Sequence, residues 1–290
     1  MSEQIVYLNG EFSPLSQAKI SVLDRGFLFG DGIYEVVPVY ERQAFRQAQH
    51  LARLQRSLDK IGIANPYTQE EWQQKITQLC QLQEADDQLV YIQVTRGVAK
   101  RMHAFPANTT PTVFMMSNPF AHVAAAARAQ GVRCVSMIDQ RWQHCDIKST
   151  SLLGNVLAAQ FAVEHDGVES VQFRDGYLSE GAASNVWIVK DGALFGPPLD
   201  NLILEGIRVE FFHELCAKLN ISLQHRLISQ AEVFAADEVL LSSASKEVLA
   251  VVQLDDHTIG NGRIGPIYQA LYDAYQVAKQ QAKQQAKAVN

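Results

Sequence analysis

Lys148 stands in the run Cys145-Asp146-Ile147-Lys148-Ser149-Thr150-Ser151-Leu152-Leu153-Gly154-Asn155. It follows a short apolar-polar stretch and precedes a Ser/Thr run and an apolar segment of helical character. A lysine that points inward costs free energy unless it is used, and its commonest covalent use is a Schiff base with a carbonyl compound. By itself the residue reads first as an ordinary solvated lysine. Its chemistry therefore depends on what other segments supply.

Six further segments are candidates. Ser179-Glu180-Gly181-Ala182-Ala183-Ser184-Asn185 places a carboxylate among small residues ahead of an apolar strand. Glu180 could pair with a cationic nitrogen, or it is an exposed turn acid. Arg101-Met102-His103 follows a strand and a loop. In extended chain, residues two apart point the same way, so Arg101 and His103 could converge on a carboxylate, or both are solvated. Tyr34 opens a strand after Gly30 and Gly32 and could hydrogen-bond a ligand oxygen, or it is a half-buried sheet aromatic. Leu204-Glu205-Gly206-Ile207-Arg208 lies at a predicted helix start, where backbone amides attract phosphate. Ser242-Ser243-Ala244-Ser245 follows a strand and could add donors. Arg53 could supply a cation, with His50 beside it on one helix as a supporting or merely structural histidine. Trp142 and Trp187 read as packing residues.

The elements that must position these groups mix strands and helices. Ile33 to Tyr40, Leu89 to Thr95 and Thr112 to Ser117 read as strands. Leu51, Leu54, Leu58 and Ile61 follow helical spacing up to a stop at Gly62, and Thr68-Gln-Glu-Glu71 is a capping box ahead of Trp72, Ile76 and Leu79. Asn118-Pro119-Phe120 suggests a boundary, and Ala124 to Ala129 a helical linker. Further on, Val132 to Ile138, Glu169 to Phe173, Asn185 to Lys190 and Glu238 to Leu241 are predicted strands. Asp175-Gly176 and Asp191-Gly192 signal hairpin turns. Leu152 to Glu164 and Ile207 to Leu219 are predicted helices. The expected division is a domain over 1–118, a domain over 119–276 and a polar tail over 277–290 that is a frayed helix or disordered. Hairpins in the second half, and no Gly-x-Gly-x-x-Gly after a strand, disfavour a doubly wound dinucleotide fold.

Composition narrows the class. The 290 residues are 47% hydrophobic and 19% charged, an ordinary globular profile. A net charge of -6 with interspersed signs argues against a nucleic-acid surface. No apolar stretch is long enough for a membrane span, and no secretory signal is expected at the N-terminus. The four cysteines are far apart, form no ligand spacing for a metal, and fit free thiols in a reducing cytoplasm.

Taken together, the segments resemble the fold-type IV pyridoxal-phosphate enzymes, specifically the D-amino-acid aminotransferases. The resemblance runs from about residue 4 to about residue 275 in one consistent order. It rests on four blocks: Asp-Arg-Gly-Phe-x-Phe-Gly-Asp-Gly-Ile-Tyr-Glu (Asp24 to Glu35), Gln-Val-Thr-Arg-Gly with Arg101 and His103 (Gln93 to Pro106), Cys-Asp-Ile-Lys-Ser at Lys148, and Ser-Glu-Gly-x-x-Ser-Asn-Val at Glu180.

The resemblance implies an α/β protein with a smaller N-terminal α/β domain and a larger C-terminal α/β pseudo-barrel domain. It implies that Lys148 holds pyridoxal 5'-phosphate as an internal aldimine and then moves the substrate α-proton, while Glu180 pairs with the pyridine nitrogen. Arg53, Leu204, the amides at Ile207 and Arg208, and the turn at Ser243 and Ala244 would hold the cofactor. Tyr34, Arg101 and His103 would trap the substrate carboxylate. In the family the arginine-histidine pair comes from the neighbouring subunit, so a homodimer is implied. Amino transfer between D-amino acids and 2-oxo acids, such as D-alanine and 2-oxoglutarate, is the expected reaction. Branched-chain L-amino-acid transaminases, (R)-amine transaminases and 4-amino-4-deoxychorismate lyases share the lysine and the glutamate, and a non-catalytic pyridoxal-phosphate binder is the alternative from another class. Two departures stand out: family members usually carry threonine at the position of Arg208, and many carry it at that of Ala244. Each missing hydroxyl removes roughly 1 kcal/mol from phosphate binding. Arg208 either compensates by charge or faces solvent.

Overall fold

The computed structural model describes residues 3–289, with side chains through residue 284. The chain divides into two compact units. The first comprises Met1–Ala121, Ile147–Leu152 and Ala282–Asn290; the second comprises His122–Asp146 and Leu153–Gln281.

The first unit is built on a six-stranded antiparallel sheet of β1 (Ile5–Leu8), β2 (Glu11–Pro14), β3 (Gly32–Tyr40), β4 (Gln43–Ala44), β5 (Gln88–Thr95) and β6 (Thr112–Pro119), in the order β2-β1-β6-β5-β3-β4. Its helices are α1 (Arg25–Phe29), α2 (Gln47–Lys60) and α3 (Gln69–Gln81). Leu51, Leu54 and Leu58 of α2 and Trp72, Ile76 and Leu79 of α3 are buried against Ile33, Val37, Val39, Val90 and Ile92. This is the helical spacing read from sequence, now facing the alternate row of a sheet. The capping box forms as expected: the Glu71 amide donates to Thr68 Oγ1 at 3.2 Å and the Thr68 amide to Glu71 Oε2 at 2.7 Å.

One residue in the core-facing row of β3 is charged. Glu35 lies between Ile33 and Val37, with none of its surface exposed. Arg53 of α2 reaches it through Nε at 2.9 Å and Nη2 at 2.6 Å, and His50 Nδ1 lies 3.0 Å from the same carboxylate. Burial by itself would raise the Glu35 pKa. The Arg53 charge and then His50 overcome that and hold the carboxyl well below the usual range.

The second unit carries α4 (Ala125–Gln130), β7 (Val132–Ile138), α5 (Leu153–Glu164), β8 (Ser170–Arg174), β9 (Tyr177–Gly181), β10 (Asn185–Lys190), β11 (Ala193–Gly196), α6 (Ile207–Leu219), β12 (Leu223–His225), α7 (Gln230–Phe234), β13 (Glu238–Ser243), β14 (Glu247–Leu254), β15 (His257–Thr258) and α8 (Pro266–Val289). The strand order is β12-β11-β10-β13-β14-β7-β8-β9, with β15 on β14. β9 forms one edge and β10 lies five places away, yet only residues 182–184 join them. Three residues reach about 10 Å, whereas five flat strand spacings would need about 24 Å. The sheet therefore curls on itself, which is the pseudo-barrel implied by the motifs.

Two expectations are corrected and one open alternative is decided. Trp142 is 47% exposed rather than packed, whereas Trp187 is buried and donates to Ser242 Oγ at 2.9 Å. The alanine-rich segment is a helix, but Arg128 within it anchors β14: it donates to the Lys246 and Val248 carbonyls and pairs with Glu247 at 3.1 Å. Of the two states expected for the polar tail, the helix is present through residue 289, and Lys279 is buried there in an ion pair with Glu247 at 2.5 Å. Asn290 lies outside the described residues.

The buried carboxylate gives a pH-dependent prediction. Glu35→Gln leaves Arg53 with a buried, uncompensated charge and should cost about 3–5 kcal/mol of stability at pH 7. Folding lowers the Glu35 pKa, so its contribution is complete above the unfolded carboxylate range near pH ~4.3 and is lost as pH falls toward the folded value. Urea unfolding from pH 7 down to pH 3 should show the gap between wild type and variant narrowing with acid; a constant gap would refute the assignment.

Candidate active site

The lysine segment belongs to the first unit although its flanks belong to the second. β4 pairs with β3 at Val39 and Tyr40, which leaves the other end of that β3 edge open. Residues 148–150 fill it. The Tyr34 amide donates to the Lys148 carbonyl at 2.8 Å, the Thr150 amide to the Gly32 carbonyl at 3.0 Å, and Ser149 bridges to Ile33. The Ser/Thr run locks the register: Thr150 Oγ1 and Ser151 Oγ both donate to the Gly30 carbonyl, at 2.9 and 3.1 Å. Gly30 has φ +66°, and a Cβ there would stand 2.6 Å from Ser151 Oγ, so both conformation and space demand glycine.

This pairing puts Lys148 beside Tyr34. Tyr34 belongs to the row of β3 opposite Glu35, and the Lys148 amine lies 4.1 Å from the centroid of its ring, which stacks in turn on Tyr91 at 5.8 Å. Among the described residues no carboxylate pairs with the Lys148 amine. A half-buried amine over an aromatic ring, without a fixed counter-charge, is available for covalent work.

Arg101 and His103 lie in the same unit on an exposed loop, not in the extended chain expected for them. They nonetheless converge. The Arg101 guanidinium lies 5.4 Å from the Phe29 ring centroid, and the His103 ring is 5.5 Å from it. No hydrogen bond, ion pair or ring contact joins either of them to Lys148 or Tyr34 among the described residues. Arg53 of α2 is fixed by Glu35, which belongs to the row of β3 opposite Tyr34.

In the second unit Glu180 sits on β9, 6% exposed, and is no turn acid. One oxygen meets Arg141; the other accepts from the Leu204 amide at 3.0 Å and lies 3.4 Å from Asn185 Nδ2. Burial pushes the Glu180 pKa up, against the pull of Arg141. Arg141 is itself held by Asp139, through Nε at 2.9 Å and Nη2 at 2.8 Å, and Arg174 lies 3.2 Å from that carboxylate. Sequence reading missed Asp139, Arg141 and Asn185. Asn185 was quoted beside Glu180 without a task. Its side chain ties β10 to the 204 loop by donating to the Leu204 carbonyl at 2.8 Å. The Asp139-x-Arg141 spacing carried no signal separating it from surface charge.

The α6 N-terminus begins at Gly206, Ile207 and Arg208, with no side-chain cap. The first amides of a helix lack intrahelical acceptors and suit an anion. A Cβ on Gly206 would meet Asn185 Oδ1 at 2.1 Å. Arg208 does not face solvent: it is 2% exposed and donates through Nε and Nη2 to the Tyr275 hydroxyl, at 3.0 and 2.7 Å. Ser243 ends β13 and Ala244 opens the turn after it, where Ser243 Oγ accepts from the Lys246 amide at 3.0 Å. The four cysteines are all buried, and burial pushes Cys80 up to about 12 and Cys216 to about 11, as inert packing residues.

Comparison with known proteins shows the family and the fold. Residues 32–254 match the family described as amino-transferase class IV. The D-alanine aminotransferase of Staphylococcus aureus (strain MSSA476) is 37% identical over 276 residues, covering 93% of this chain and 96% of that protein. Among solved structures, the branched-chain amino acid aminotransferase of Escherichia coli superposes with a TM-score of 0.89 at 24% identity, covering 94% of both chains. The branched-chain amino acid aminotransferase of the thermophilic archaeon Thermoproteus uzoniensis, with norvaline, gives 0.84 at 26% identity, over 95% of this chain and 94% of that one. With the family match spanning most of the chain, the chain belongs to the class IV aminotransferases and has the fold-type IV α/β architecture.

Proposed function

We propose that the protein is a D-amino-acid transaminase that moves the amino group between D-amino acids, D-alanine among them, and 2-oxo acids such as 2-oxoglutarate, using pyridoxal 5'-phosphate. The observation that carries this reading is the Lys148 amine over Tyr34 without a carboxylate partner. The 35–38% identity to proteins named D-alanine aminotransferase supports the substrate class. The residues present suit the cofactor: an amine for its carbonyl, a buried carboxylate for its ring nitrogen, and an uncapped helix N-terminus for its phosphate.

Pyridoxal 5'-phosphate, when bound, supplies the carbonyl that takes up the amino group and the ring that accepts the electron pair left at the substrate α-carbon. Lys148 would hold the cofactor at rest and, with its amine free, would move the proton between the substrate α-carbon and the cofactor. Glu180 keeps the pyridine nitrogen protonated; a cation beside it would offset the burial that raises its pKa. Arg141 and the Leu204 amide fix that carboxylate. Arg53, the amides of Ile207 and Arg208, and the Ser243-Ala244 turn hold the phosphate. Tyr34, Arg101 and His103 bind the substrate carboxylate. The two half-reactions alternate on one lysine, which is a ping-pong scheme.

A homodimer belongs to the same reading, with Arg101 and His103 serving a second copy. Among the described residues of one chain, no hydrogen bond, ion pair or ring contact joins them to Lys148 or Tyr34. Val22, Phe27, Val98, Met102 and Phe105 of the first unit are large, apolar and exposed, as are Leu153, Val156 and Leu157 on α5 of the second. Such patches support association. A division at 1–118 and 119–276 and a cytoplasmic location, consistent with four free thiols, complete the proposal. No helix among the described residues is long and apolar enough to cross a membrane.

Three outcomes are expected. Lys148→Ala should abolish the visible absorbance of bound cofactor and lower turnover of D-alanine with 2-oxoglutarate by about a thousandfold or more; near wild-type turnover would sink the reading. Arg101→Ala removes a charge-assisted bond and should raise KM for D-alanine by about 10- to 100-fold, while any activity on amines lacking a carboxylate survives. Phe27→Glu should shift the protein from dimer to monomer in sedimentation velocity and lower activity with it; an unchanged dimer would remove that patch from the interface.

A further inference from the structure

Arg25 opens α1 and is 3% exposed, although Phe27 two residues on is largely exposed. Its guanidinium is engaged along its length. Nε donates to Asp31 Oδ2 at 2.6 Å. Nη1 donates to the Met102 carbonyl at 2.6 Å and reaches the Ala104 carbonyl at 3.5 Å, and Nη2 donates to the His103 carbonyl at 3.2 Å. The cation also lies 4.8 Å from the Phe29 ring centroid. Asp31 is shared with Arg96, at 2.8 and 3.1 Å, and Arg96 bonds the Ile61 and Gly62 carbonyls at 2.7 and 3.2 Å. Burial would raise the Asp31 pKa, but bonds from Arg96 and Arg25 hold it below the ordinary range.

Successive carbonyls of an extended chain point in alternate directions. Three in a row turned toward one point need a reason, and here it is one forked cation. The segment they belong to is not a strand and has no ladder to fix it. Its two side chains of interest, Arg101 and His103, both end beside the same Phe29 that Arg25 approaches. We propose that Arg25 is the positioning residue of the carboxylate-binding pair: it fixes the backbone at 102–104 so that Arg101 and His103 are presented together. The proposal rests on the reading of that pair given above. It also accounts for an arginine rather than a lysine at the second position of Asp24-Arg25-Gly26, because an ammonium cannot span Asp31 and three carbonyls at once.

The test compares Arg25→Lys with Arg101→Ala in the cofactor-loaded enzyme. Arg25→Lys keeps the charge beside Asp31 but loses the fork. KM for D-alanine should rise about tenfold with kcat within about threefold, and amide hydrogen exchange over residues 101–105 should accelerate while that of α2 and β5 does not change. Either effect without the other, or a loss of kcat at constant KM, overturns the proposal. If Arg25→Lys fails to fold, Asp31→Asn, which frees the same guanidinium from its anchor, must show the same pair of effects. Arg101→Ala separates the two layers. If it leaves KM unchanged, the reading of the pair has failed; if it raises KM while Arg25→Lys does not, only the role of Arg25 has.

Discussion

The pairing of residues 148–150 with the open end of β3 is the constraint on which the lysine's chemistry depends. A lysine in a loop samples many directions and keeps its hydration. Here the Lys148 carbonyl and the Thr150 amide are held by ladder bonds to Tyr34 and Gly32, so the side chain must leave on one face, and that face carries Tyr34. The Ser/Thr run is the second half of the device. Thr150 and Ser151 reach Gly30 through their hydroxyls, and the glycine's positive φ admits them. A one-residue slip would turn the amine to the other face of the sheet. The hydroxyls make that slip costly.

Both units bury a charged network behind a residue expected to act. In the first, Glu35 sits in an apolar row and aligns Arg53. In the second, Asp139 aligns Arg141, which aligns Glu180. Such networks add little net stability, because desolvation offsets most of the Coulomb attraction. Their effect is geometric. A buried carboxylate with each oxygen bonded has one orientation, and a buried guanidinium beside it has few. Arg25 and Asp31 repeat the arrangement under an exposed loop, where no sheet ladder could supply the rigidity.

Much of this was legible beforehand. Period-2 and period-3.6 patterns marked β3, β5, α2 and α6, and Thr68-x-x-Glu71 marked the start of α3. What failed did so for physical reasons. β14 is almost wholly buried, so its sequence has no alternation to read. The alanine-rich helix looked inert because Arg128 shows its partners only when β14 lies beside it. Trp142 was assigned to a core on residue type, although type does not decide burial.

Sequence alone determined which reactive residue types exist and in what order, and through four motif blocks it determined the family. Those are matters of identity and spacing along a chain, and local pattern encodes them. Tertiary structure decided which groups hold them in place. The partners of Glu180, Arg53 and Lys148 lie 39, 18 and 114 residues away, at Arg141, Glu35 and Tyr34. Arg25 finds its carbonyls 77–79 residues further on. A charged residue reads the same in sequence whether it faces water or a buried carboxylate. Only the fold, by removing the water, turns one into the other.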